Sequence, residues 1–246
     1  MPKYVAPNSD ITRSTFMAKA VQTATDAAAV SGGTSMLPPP LLADLTALYA
    51  EFKAADNAVK SALGNRKAET AESVAAMDRL KMYISHIWTA IHHRVLREGQ
   101  PARVYDYYRM NSDGTHPILN SRRERLLMAE AVIAGDAEAV AAGYAPVLSP
   151  TAAELQAVYD DAIAQVGDVP QADKAYDDAQ AAIAGLRPQA DKLIKAVRAA
   201  ILYGTYEMDT SSQRRVLRNY GARYYYAPSE SVDDGDETAV FELDGE

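Results

Sequence analysis

Four histidines, His86, His92, His93 and His116, are the side chains best suited to hold a metal or a haem. His86 and His93 stand seven residues apart, which puts both on one face of a helix, with His92 about a third of a turn away. A helical di-metal centre, however, draws Glu-x-x-His motifs from two helices. The residues three before His86, His92 and His93 are Tyr83, Thr89 and Ala90. A helical metalloprotein using these histidines is thus the third functional reading of the chain, and surface or structural roles for them come ahead of it.

Other reactive constellations are thinner still. The acid pairs Asp160-Asp161 and Asp177-Asp178 are adjacent in sequence, so on a helix they point about 100° apart rather than into one cleft. There is no cysteine, which removes disulfides, thiolate nucleophiles and Cys-bound metals. No Gly-rich phosphate loop, nucleophile elbow or His-Glu-x-x-His motif occurs. The expectation is a protein without catalytic residues, metal or cofactor.

Two arginine- and tyrosine-rich segments are the better candidates for recognition. The first holds Arg103, Tyr105, Tyr107, Tyr108 and Arg109. The second holds Arg214, Arg215, Arg218, Tyr220, Arg223, Tyr224, Tyr225 and Tyr226. Arginine offers planar bidentate pairing to carboxylate or phosphate, and tyrosine gives rigid amphipathic contact area. Both are enriched where proteins bind one another. The competing reading is that the tyrosines close the ends of helical bundles.

The elements that must carry these residues come in two copies. Met17-Ala18-Lys19-Ala20-Val21 returns as Met128-Ala129-Glu130-Ala131-Val132, and Arg103-Val104 with Tyr108 returns as Arg215-Val216 with Tyr220. Such self-similarity predicts an all-α, internally duplicated helical bundle of two related three-helix units. The first repeat covers 1–113, the second 114–227, and an acidic tail 228–246.

In each copy a first helix, about 11–31 or 121–142, stops at glycine. A second starts after Pro38-Pro39-Pro40 or Pro150, with Thr151 and Glu154 as a possible capping box or Ser149 as an alternative cap. It carries Leu45, Leu48 and Phe52, or Leu155, Val158 and Ile163, and ends at Gly64-Asn65 or Gly167-Asp168. The third bears the stripe Met77, Leu80, Ile84, Ile87, Ile91 and Val95, or Ile183, Leu186, Ala190, Leu193, Val197 and Ile201, with Pro188 expected to kink or split the second version. Asn111 to Gly114 reads as a turn. No alternating strand pattern stands out in the body.

The net charge of −8 is confined to one place. Residues 228–246 hold eight acids and no Lys or Arg; without them the chain's 33 acids fall to 25, equal to its 25 Lys and Arg. A neutral body argues against non-specific nucleic-acid binding, which needs a basic excess. Within the tail, 238–243 is a short apolar stretch whose Phe241 and Leu243 suit docking. No secretory leader or membrane span is visible, so a cytoplasmic location is the default expectation, with release as part of a particle left open.

The leading functional expectation is a non-catalytic structural or assembly protein. It would associate with itself or with a larger particle through the Arg/Tyr segments and the tail, as a homo-oligomer or with a protein partner. The alternative is a module binding a peptide or small anionic ligand between the two repeats.

Overall fold

The computed structural model describes residues 2–30 and 35–226. They are mostly helical, in the order β1 (Lys3–Val5), α1 (Asp10–Ala29), α2 (Pro39–Glu98), α3 (Val104–Tyr107), α4 (Arg122–Ala141), α5 (Ala152–Gly204), α6 (Thr210–Asn219) and β2 (Arg223–Tyr225). The tail, with Phe241, Leu243 and the stretch 238–243, lies outside the described residues.

Local chemistry explains the helix starts. Ser9 opens α1 with a capping box whose other member is Thr12, and Ser121 opens α4 with one completed by Glu124. At α5 the Thr151 hydroxyl accepts the Glu154 N–H at 3.1 Å, and the Glu154 carboxylate accepts the Thr151 N–H at 2.7 Å. Thr151, not Ser149, is therefore the cap. Each box satisfies amide groups that the first helical turn leaves without partners. Ser121→Ala should cost about 1 kcal/mol, measured by urea unfolding followed by circular dichroism.

The helix ends differ from the expectation. Gly64-Asn65 and Gly167-Asp168 end nothing: the helices expected as separate on either side of them are single helices, α2, 60 residues long, and α5, 53 residues long. A glycine inside a helix costs only about 1 kcal/mol against alanine, and a flanking apolar stripe outweighs that. Nor does Pro188 end α5. The described residues also form one small antiparallel sheet, Lys3–Val5 against Arg223–Tyr225, where no strand was expected. Three residues on each side are too few to show an alternation.

The chain divides into two compact units, one from Met1–Lys60 with Asp178–Glu246, the other from Ser61–Asp177. Each unit takes residues from both of the ranges 1–113 and 114–227.

In the first unit Phe16, Met17, Ala20 and Ala24 of α1 share a core with Leu45, Leu48 and Phe52 of α2 and with Ile183, Ala190, Ile194, Val197 and Ile201 of α5. Ion pairs flank this core. Arg13 Nε donates to Asp191 at 2.8 Å, and Arg187 grips both oxygens of Asp10 at 2.9 and 2.8 Å. The Arg13 hydrogen bond holds the Asp191 carboxyl below its ordinary range.

In the second unit the whole stripe from Met77 to Val95 is buried together with Trp88, Tyr105, Tyr108, Val132, Leu155 and Val158. Ile163, placed on the buried face by its spacing, is exposed, and Ala162 is buried in its stead.

Candidate functional site

The two Arg/Tyr segments fall in different units and are partly core. In the second unit α3 packs on α4 so closely that a Cβ on Gly135 would sit 1.7 Å from the Tyr107 carbonyl oxygen. That approach brings Tyr108, 0 % exposed, to Asp136 of α4. The Tyr108 hydroxyl donates to Asp136 Oδ1 at 2.8 Å, and the same oxygen accepts the Val147 N–H at 2.9 Å. Burial first, and then the Asp136 bond, push the Tyr108 phenol well above its ordinary range, with the Arg94 guanidinium opposing. Two donors on one buried carboxylate oxygen are strong, charge-assisted bonds.

Tyr105 is also buried, its hydroxyl 3.2 Å from His92 Nδ1. The turn at Asn111–Gly114 closes over this imidazole: Gly114 has φ +83°, and a side chain there would collide with the His92 ring. His116 packs on Trp88, and burial lowers the His116 imidazole below its ordinary range. Trp88 in turn donates its indole N–H to the Tyr108 carbonyl at 2.8 Å. These aromatic residues thus build the end of the core. Toward solvent remain Arg103, whose Nε donates to the Tyr144 hydroxyl at 3.0 Å, Arg109, and half-buried Tyr107.

The second segment, in the first unit, has a similar division. Tyr220 is buried. Tyr224 is half-buried and meets Tyr4 edge-on, ring centroids 6.0 Å apart, across the β1–β2 pair. Arg198 lies over the Tyr4 ring at 4.5 Å, and Arg218 lies over Tyr224 and Tyr226 at 5.6 and 5.3 Å. These are cation–π distances. Burial is the main cause raising the Tyr4 and Tyr224 phenols, and Arg198 opposes it at both. Arg214 is half-buried, while Arg215, Arg223 and Tyr225 are exposed.

Three exposed residues escaped the sequence reading. Tyr203 is 81 % exposed, Tyr206 70 % and Met208 44 %, all at the end of α5 or just beyond it. The two tyrosine rings stand 6.3 Å apart. Tyr203 continues a helix whose buried stripe ends at Ile201, so its exposure was legible from the helical period.

A second feature went unseen because it needs two distant segments. A cleft of about 510 Å³ opens in the second unit between α2 and residues 145–149. α2 supplies His86, His93, Arg94, Arg97 and Glu98, and the facing segment supplies Pro146, Val147 and Leu148. Arg94 is only 9 % exposed. Its Nη1 donates to the carbonyls of Ala145 and Pro146, the latter at 3.2 Å, whereas its Nε and Nη2 have no hydrogen-bond partner. The signal in the sequence was a cation set between Ile91 and Val95 of an apolar stripe. Asp136 is its parallel on α4, set between Val132 and Ala139.

Among the described residues, no three His, Asp or Glu side chains gather as a metal would require, and no helix is long and apolar enough to cross a membrane. No protein-family model, curated protein or solved structure matches the chain.

Proposed function

We propose that the chain is an internally duplicated, non-catalytic assembly protein that associates with copies of itself. The observation carrying this is the pair Tyr203 and Tyr206, most of whose surface faces solvent beside Met208. Large aromatic side chains left open together are characteristic of association surfaces, where tyrosine contributes area at little entropic cost. Exposed Arg215, Arg223 and Tyr225 give the same unit further groups of interface type. The acidic tail, with Phe241 and Leu243, is a complementary partner for such arginines on a neighbouring copy.

Duplication is supported by element order and by one repeated contact. Each copy runs through a 20-residue helix, a long helix and a short one. Positions 23 and 219 meet through a 2.6 Å bond from the Thr23 hydroxyl to the Asn219 carbonyl. Positions 135 and 107, each 112 residues away from one of these, meet as Gly135 against the Tyr107 carbonyl. A bundle built twice from one ancestral plan accounts for both.

The test is the molar mass in solution by light scattering coupled to gel filtration. The full-length protein at high concentration is expected at twice its 26.6 kDa or more. Tyr203→Ser combined with Tyr206→Ser should return it to the monomer. A wild-type protein that stays monomeric throughout removes the proposal.

A further inference from the structure

The two-stranded sheet of the first unit leaves a strand edge open. Among the described residues β1 pairs with β2 alone, and the backbone of Lys3–Val5 makes no hydrogen bond on its other side. A two-stranded ribbon is marginal in water, and an open edge is a template for a further strand. Pro2 and Pro7 stand on either side of β1 and restrict pairing to a short partner.

The register gives this sheet two unlike faces. Tyr4 lies opposite Tyr224, and both are half-buried. Lys3 lies opposite Tyr225 and Val5 opposite Arg223, and these four are exposed. Residues directly opposite share a face. One face is thus aromatic and turned to the body, while the other mixes two cations with Val5 and Tyr225. Residues 238–243, Thr-Ala-Val-Phe-Glu-Leu, have the matching alternation. Taken as a strand, they set Ala239, Phe241 and Leu243 on one side and Thr238, Val240 and Glu242 on the other. The first side suits the Tyr4 layer, where an aromatic cross-strand pair is stabilising. The second brings Glu242 to the face that carries Lys3 and Arg223, a favourable pairing of charge.

The partner follows from the self-association reading, on which this contact rests. Arg198 of α5 lies over the Tyr4 ring at 4.5 Å, about one and a half turns before exposed Tyr203. β1 therefore flanks the surface proposed for association. β2 ends at Tyr225 in the same sheet, so the tail of each copy leaves beside that surface too. The twelve residues 226–237 span up to about 40 Å when extended, enough to cross to a docked neighbour. We propose that residues 238–243 of a second copy add to the outer edge of β1 as a third strand.

The chain has no cysteine, so single substitutions in the full-length protein report this contact directly. Val5→Cys chains are mixed with Val240→Cys chains, and in a parallel sample with Ala239→Cys chains, under mild oxidation. Linked peptides are identified by mass spectrometry. Val240 shares the face of Val5 and Ala239 does not, so the first mixture should link at least about tenfold faster. The proposal is overturned if both mixtures link at one rate, if neither links, or if Val5→Cys chains link mainly to one another, the mark of two β1 edges paired directly. It is also overturned if the two cysteines join only when both sit on one chain, which makes the strand the chain's own. Light scattering on the same samples before oxidation separates the two readings. Oligomers without the Val5–Val240 link sink the strand alone, and monomers at every concentration sink self-association with it.

Discussion

Gly135→Ala is expected to destabilise the second unit by about 3 kcal/mol, lowering its thermal midpoint by roughly 6–12 °C in calorimetry. The sign is decided by a contest. Alanine inside α4 gains about 1 kcal/mol of helix propensity over glycine. Against that, the new methyl would stand 1.7 Å from the Tyr107 carbonyl oxygen, where real Cβ atoms stay beyond 3.0 Å. The obstacle is backbone, so no side chain can turn aside, and α3 must retreat from α4. That retreat also pulls Tyr108 from Asp136. Gly64→Ala is the matched control. A Cβ there meets nothing within 4 Å, so the same change in α2 should stabilise by about 0.5–1 kcal/mol. If both alanines behave alike, the close approach of α3 to α4 is wrong.

The second large effect belongs to Asp136. Asp136→Ala leaves the Tyr108 hydroxyl and the Val147 N–H without their shared acceptor, and removes the buried negative charge nearest this cluster. Each stranded buried donor costs about 1–3 kcal/mol, so a loss of about 3–5 kcal/mol is expected in urea unfolding. Asp136→Asn keeps an acceptor oxygen in place and should lose about half as much. Tyr108→Phe removes one of the donors in advance, so adding Asp136→Ala to it should cost less than on the wild-type background. Simple additivity of the two substitutions would show that the hydroxyl and the carboxylate act separately.

Much of the helical framework was legible because its causes are local. Ser121 with Glu124, and Thr151 with Glu154, start helices by bonds that span three residues. The stripe from Met77 to Val95 shows its burial in its own spacing. What escaped depends on groups distant in sequence. Gly64 and Gly167 look like helix ends, yet α2 and α5 run on through them, because one interior glycine costs a long helix only about 1 kcal/mol. Tyr105, Tyr108 and Tyr220 look like recognition residues by type, yet they sit in the cores. Asp136 and Arg94 are single polar residues on apolar faces. Their meaning appears only once Tyr108 and residues 145–147 are set beside them.

The pairing of Lys3–Val5 with Arg223–Tyr225 has a consequence for how the chain matures as it leaves the ribosome. The second unit is one uninterrupted stretch, Ser61–Asp177, and can close as soon as that stretch has emerged. The first unit is split around it. Its strand β1 and helix α1 precede that stretch in the chain, whereas Ile194, Val197 and Tyr224, which cover them, follow it. Until those residues follow, Phe16, Met17 and Phe52 lack the partners that close their core, so this segment is sheltered later than the unbroken stretch that comes after it.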